Sequence, residues 1–249
     1  MKPILVNPKY EHLREYLASI PTRILHEGKV LYVQRNLIHE LVTPNGLHIN
    51  VKRFHKPFFL NSLIYSSGIR KPKGLRAYEY PFLLAKKGIG SPESIAYIEE
   101  RKWGLLQYTY FISVQVPYQQ VAAVIDEPTA HEDLILALAA FTAHMHEQEV
   151  LHKDYSPGNI LFNKEEDGSY QFSIVDINRL RFGQVGRQTG CENFARLWGP
   201  KLFTVMLVRE YARLRGFDPD TCERIALKAR SRFWKRFQKK YTVKYNLEL

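Results

Sequence analysis

Leu151-His152-Lys153-Asp154-Tyr155-Ser156-Pro157-Gly158-Asn159-Ile160-Leu161-Phe162 is the stretch on which the fold turns. It places a histidine, an aspartate two residues later and an asparagine five residues after that on one loop, followed by an apolar strand. Such a loop can aim one carboxylate at an attacking hydroxyl, to accept its proton or orient it. One turn later, an amide can reach a cation held by phosphate groups. The plain alternative is a surface loop before a strand, since Asp, Ser, Pro, Gly and Asn are ordinary loop residues.

Downstream, Gln171 to Val175 reads as a second short strand after Ile160 to Phe162, with the polar run Asn163 to Ser169 as their turn. Asp176 follows directly and can hold Mg²⁺ between phosphates. A strand-ending Asp is common in turns. The weight lies in the order: loop Asp, Asn, strand, turn, strand, Asp. Upstream, Lys29 to Gln34, Leu37 to Thr43 and Leu47 to Phe54 read as strands, with Pro44-Asn45-Gly46 as a hairpin turn. Alternation puts His48, Asn50, Lys52 and Phe54 on one face of the third strand. Lys52 there is the candidate phosphate-binding lysine. A helix over Lys73 to Lys87, closed by Gly88, carries Glu79, the candidate ion-pair partner of Lys52. Pro81 should kink that helix, and Glu93 is a less apt substitute for Glu79. Strands over Ile95 to Ile98 and Leu105 to Val114 complete this part.

Beyond Pro117 the pattern becomes helical. Thr129-Ala130-His131-Glu132 has capping-box form and opens a helix to about Gln148. Further helices are expected over Glu192 to Leu197, Lys201 to Arg215 and Pro219 to about Tyr241. The organisation is α+β in two lobes: a strand-rich one over 1–115 and a helix-rich one over 116–249.

From about Gly28 to Gly199 the chain resembles the protein-kinase-like superfamily. Within it, the chain is most similar to the bacterial lipopolysaccharide core kinases, the Kdo and heptose kinase family. The resemblance rests on Asn50-Val51-Lys52-Arg53-Phe54, Gly88-Ile89-Gly90-Ser91-Pro92, Ser156-Pro157-Gly158-Asn159-Ile160-Leu161 and Val175-Asp176-Ile177-Asn178-Arg179. It implies ATP- and Mg²⁺-dependent phosphate transfer to a sugar hydroxyl of the lipopolysaccharide inner core, at the cytoplasmic face of the inner membrane. Asp154 would act as base or orienter, with His152 bracing its loop. Lys52, supported by Glu79, would position the nucleotide phosphates. Asn159 and Asp176 would bind Mg²⁺, and adenine would dock on backbone groups near Val114 and Val116.

Several departures bear on this. No glycine-rich loop is present: Gln34-Arg35-Asn36 joins the first two strands, so Arg35 and backbone amides would cover the phosphates. Asp176-Ile177-Asn178 stands for Asp-Phe-Gly, Lys153 replaces the usual Arg, and no Ala-Pro-Glu follows. These argue against a protein kinase regulated through its activation segment.

The 249 residues are 45% hydrophobic and 24% charged, which excludes a disordered or collagen-like chain. Only two cysteines occur, without metal-type spacing, and the histidines form no metal-like set. The uncharged run Gly104 to Ile125 carries four Gln and one Pro and makes a poor membrane span. A cytoplasmic protein with at most peripheral membrane contact is expected. The net charge is +11, and Lys228 to Lys244 holds eight basic residues and no acidic one. Phe233, Trp234, Phe237 and Tyr241 are interleaved at helical spacing. A helix packing its aromatics inward has a solvated basic face in any case. Lys228, Arg232, Lys235, Arg236, Lys239 and Lys240 would also suit an anionic membrane surface or glycolipid, and no nucleic acid is expected. The rival readings are a kinase for another small molecule or a protein, and a non-catalytic kinase-like binding module.

Overall fold

A computed structural model describes residues 3–34, 36–243 and 247–249. The chain divides into two compact units, Met1–Lys86 with Ser91–Pro117, and Lys87–Gly90 with Tyr118–Leu249. The segment 87–90 thus belongs with the second unit, although it precedes the last strands of the first.

The first unit is a six-stranded antiparallel sheet with three helices. Its strands are β1 (Ile4–Val6), β2 (Lys29–Val33), β3 (Leu37–Val42), β4 (His48–Phe54), β5 (Ser94–Lys102) and β6 (Leu105–Val114), in the order β1-β5-β6-β4-β3-β2. Its helices are α1 (Arg14–Arg23), α2 (Phe59–Ser66) and α3 (Lys73–Lys86). Neither β1, α1 nor α2 is expected from the sequence pattern. Leu13, Leu17, Ile20 and Ile24 pack against Ile49, Val51, Ile98, Tyr110 and Ile112, so α1 covers one sheet face. Because side chains alternate, Asn50 and Lys52 lie on the opposite face. There α3 packs close: a Cβ on Gly74 would stand 2.7 Å from Thr109 Oγ1. Pro81 is buried inside α3, which runs unbroken to Lys86.

The second unit contains β7 (Gln119–Gln120), α4 (Glu132–Glu147), β8 (Val150–His152), β9 (Ile160–Lys164), β10 (Tyr170–Ile174), β11 (Leu180–Phe182), α5 (Arg187–Glu192), α6 (Lys201–Leu214) and α7 (Pro219–Gln238). Helix α6 packs between α4 and α7. The expected capping box does not form. Thr129 is caught in a turn, with His131 N–H donating to Pro128 C=O, and α4 begins at Glu132 without a side-chain cap from His131. Helix α7 is capped instead by Asp218, which accepts from Thr221 N–H at 2.9 Å. It ends at Gln238, short of Tyr241.

Helix α7 buries one face. Cys222, Ala226, Ala229, Arg230 and Trp234 are inside. Arg230 belongs to the basic run but not to its surface. It donates to the carbonyls of Leu197 at 3.1 Å and Gly199 at 2.6 Å, and burial holds its pKa below the usual arginine value. Lys228, Arg232, Lys235, Arg236, Lys239 and Lys240 are exposed.

Candidate active site

Strand β8 ends at His152, which pairs with Leu180 of β11. His152 is buried and both ring nitrogens are used. Nδ1 accepts from the Asp154 main-chain N–H at 3.1 Å, so Nε2 carries the proton and donates to Val175 C=O at 2.9 Å. Burial holds the imidazole below its ordinary pKa, which keeps it neutral. His152 therefore shapes the loop, and neither nitrogen is open for proton transfer.

Val175 closes the other side. Its N–H donates to Asn159 C=O at 3.0 Å, and its C=O accepts from His152. Asn159 immediately precedes β9 and Asp176 follows two residues after β10. The β9–β10 pairing, ending at Ile160 opposite Ile174, brings them to one end of the hairpin. Asn159 Nδ2 donates to Asp154 C=O at 2.9 Å, which leaves Oδ1 as the outward end of the amide. Asp176 adopts the left-handed region with φ 56°, a conformation Asp tolerates, and accepts from Asn178 Nδ2 at 2.6 Å. An amide oxygen and a carboxylate are hard donors that suit Mg²⁺, which commonly takes few protein ligands and completes its shell with phosphate and water. Among the described residues no cluster of three or more His, Cys, Asp or Glu could hold a metal alone.

The Asp154 carboxylate is nearly enclosed by cations. Arg179 Nη1 lies 3.0 Å from both of its oxygens, and Arg196 Nη2 lies 3.2 Å from Oδ1. Arg196 also lies over the Phe233 ring of α7, 4.8 Å from its centroid. Neither arginine is assigned a role by sequence reasoning. The position of Arg179, three residues after Asp176, was the available signal.

A buried relay supports the loop from below. Arg215 donates to Tyr211 Oη at 3.1 Å, and Tyr211 donates to His146 Nδ1 at 2.9 Å. His146 Nε2–H then donates to Asn193 Oδ1 at 3.1 Å, and Asn193 Nδ2 donates to His152 C=O at 2.9 Å. Burial pushes the His146 pKa down to about 4, consistent with its neutral role. Tyr155 adds a second anchor, its hydroxyl 2.6 Å from that of Thr142 on α4.

In the first unit, Lys52 Nζ lies 5.2 Å from the Phe54 ring centroid. Glu79 is paired with Lys71, whose Nζ lies 2.7 Å from both carboxylate oxygens. Glu93 accepts from Lys9 at 2.9 Å. The Val114 N–H donates to Glu93 C=O, and Val116 C=O accepts from Gln115 Nε2 at 3.2 Å. Among the backbone groups expected to meet adenine, this N–H is already committed. Arg35 lies outside the described residues, as does Lys244 at the end of the basic run.

A family model described as the lipopolysaccharide kinase (Kdo/WaaP) family matches residues 22–214. A solved structure of WaaP in complex with acyl carrier protein matches with a TM-score of 0.58 and 14% identity, covering 96% of this chain and 100% of that one. The Rio2 kinase–ADP/Mg²⁺–phosphoaspartate complex of Chaetomium thermophilum matches with a TM-score of 0.49 and 12% identity, covering 95% of this chain and 78% of that one. No curated protein matches the chain. The match to WaaP spans the whole of that chain and shows a protein-kinase-like fold. The family model covers most of the sequence and takes in every candidate residue from Lys52 to Asp176, so the protein is a kinase and belongs to the lipopolysaccharide kinase (Kdo/WaaP) family.

Proposed function

We propose that the protein transfers the γ-phosphate of ATP to a hydroxyl on an acidic sugar of the lipopolysaccharide inner core. The observation that carries this reading is Asp154 on a loop fixed from four directions, by His152, Val175, Asn159 and Asn193. In this reading the acceptor oxygen forms the new bond to phosphorus as the bond to the bridging oxygen of ADP breaks, and Asp154 takes the hydroxyl proton. Asn159 and Asp176 would hold Mg²⁺, which supplies charge neutralisation to the phosphates. Lys52 would position the α- and β-phosphates, with Glu79, which Lys71 engages here, in a lesser supporting part. Arg35 would cover them, and the backbone at Val114 and Val116 would take adenine. Catalysis is then mainly positioning and electrostatics. Arg179 and Arg196 favour an anionic acceptor, because an acidic group on the incoming sugar can replace Asp154 as their partner.

The exposed cations of α7 support a contact with an anionic glycolipid or the inner leaflet. Lys228, Arg232, Lys235 and Lys239 recur at spacings of four, three and four, on the side opposite Ala226, Arg230 and Phe233. Among the described residues no helix is long and apolar enough to cross a membrane, so the contact would be peripheral.

Transfer from labelled ATP to deacylated and intact lipopolysaccharide core tests the reading. Label in a sugar phosphate, dependent on Mg²⁺, is the expected result. A protein that binds nucleotide and yields no phosphorylated saccharide from either acceptor would overturn it. The binding-module rival predicts a nucleotide-induced rise in melting temperature that is absent or indifferent to Asp176→Ala.

A further inference from the structure

The second basic region of the chain surrounds α2. Between Glu40 and Glu79 there is no acidic residue, while Lys52, Arg53, Lys56, Arg70, Lys71, Lys73 and Arg76 supply seven positive charges. The helix in this stretch is turned the wrong way round for a soluble protein. Its inner side carries serines: Ser62 Oγ donates to Leu106 C=O at 2.7 Å, and Ser66 Oγ accepts from Leu106 N–H at 2.9 Å. Tyr65 is the one large side chain it buries. Its outer side carries Phe59, Leu60, Leu63 and Ile64, all exposed. Apolar side chains also stand at both ends, with Phe58 at 78% and Ile69 at 80% exposure. Lone exposed apolar residues are common, but six on one short segment are not.

We propose that α2 is a bilayer-docking element, which inserts its outer face into the interface of an anionic membrane. Three features favour a bilayer over a protein. The side chains project, with Leu60 at 72% exposure. Exposed Lys56 and Arg70 flank the apolar segment in the chain, where lipid headgroups would meet them, while Lys71 is neutralised by Glu79. The inner face is tied to β6 through backbone carbonyl and amide, so the helix is held as a rigid ridge whose outer face is apolar. An apolar face rimmed by cations is the composition of an interfacial helix. This goes beyond the phosphotransfer reading and does not depend on it, since binding needs neither nucleotide nor acceptor.

The test uses the full chain with vesicles of phosphatidylcholine, alone or mixed with phosphatidylglycerol. Cys191 and Cys222 are buried, so a Leu60→Cys variant can be labelled selectively with an environment-sensitive fluorophore. The expected result is a blue shift and intensity rise on the mixed vesicles, and about tenfold or greater loss of vesicle binding in Phe59→Ser/Leu60→Ser. A Lys228→Glu/Lys235→Glu variant of α7, the other proposed anionic contact, binds the mixed vesicles more weakly but shows the same blue shift once bound. The proposal fails if the label stays in a water-like environment while the protein sediments with vesicles. It fails equally if the serine variant, with an unchanged melting temperature, binds as the parent does. A label that responds to an acidic polypeptide such as polyglutamate, and not to vesicles, would identify a protein interface and overturn it.

Discussion

Arg179 holds both carboxylate oxygens of Asp154 at 3.0 Å. A carboxylate paired in this way, if it is the proposed base, is shielded until something competes for the guanidinium. An anionic acceptor does so, and it would leave Asp154 facing the hydroxyl. Arg179→Ala should therefore raise KM for the acceptor by about tenfold or more, with KM for ATP changed little. Arg179→Lys should recover only part, because an ammonium can hold Asp154 but cannot offer the planar guanidinium fork to an incoming anionic group. Steady-state kinetics with both substrates varied decides this, and an effect confined to ATP would contradict it.

Asn193 links α4 and α6 to the loop that carries Asp154, and its loss should be felt twice. Asn193→Ala leaves His146 Nε2–H without a partner and removes one of two donors from His152 C=O, which keeps the Tyr155 N–H, at a cost of about 1–3 kcal/mol of stability. Its kcat should also fall, at temperatures where the variant is still folded. Gly190→Ala attacks the same relay by bulk, since its Cβ would meet the Tyr211 hydroxyl at 2.2 Å. Denaturant unfolding alongside turnover tests both. Wild-type stability in Asn193→Ala would show that the relay is decorative.

The relay also sets a pH dependence. Burial lowers the pKa of His146 to about 4 and depresses that of His152 as well. In the unfolded chain both protonate near pH 6.5. The unfolded state thus binds more protons below that pH, so stability is full above about pH 6.5 and falls as the pH drops toward 4. For His146 alone the loss approaches about 3 kcal/mol. Unfolding curves at pH 7.5, 6 and 5 should show the slope, and His146→Gln should flatten it. A stability independent of pH in this window would contradict the assignment.

In the first unit the two candidate phosphate-side residues should separate. Lys52→Ala is expected to lower kcat/KM for ATP about a hundredfold. Glu79→Gln should cost less than about tenfold, because Lys71 engages that carboxylate here. Equal losses would show that Glu79 serves Lys52 during turnover.

Gly90 offers a stability test away from the chemistry. A Cβ there would lie 2.0 Å from the Phe172 carbonyl oxygen, and Ile174 N–H donates to Gly90 C=O at 3.0 Å. Backbone cannot retreat as a side chain can, so Gly90→Ala should cost about 2 kcal/mol or more. An unchanged melting temperature would contradict the close packing.

What could be read in the sequence followed local rules. Alternation in His48 to Phe54 located Lys52 on the face opposite Ile49 and Val51, and the Asn-Gly turn located β3 and β4. The loop from His152 to Asn159 carried its own order of chemistry. What could not be read depends on tertiary contact. Asn193, Tyr211 and His146 lie far apart in the chain and meet only when α4 and α6 pack. Thr129 satisfies a capping pattern, but the turn at Pro128 claims it first. Helix α2 escaped because its serines face inward, reversing the pattern by which surface helices are recognised. Arg230 looked like one more surface cation until Leu197 and Gly199 supplied carbonyls to bury it.

The central claim is that Asp154, held by its braced loop, directs phosphate onto a saccharide hydroxyl. Single-turnover transfer from labelled ATP to lipopolysaccharide core, run with the parent and Asp154→Asn under saturating Mg²⁺, tests it most directly. The account predicts that the variant binds nucleotide as tightly as the parent and transfers phosphate at least about a hundredfold more slowly. Transfer by Asp154→Asn at the parental rate would contradict it.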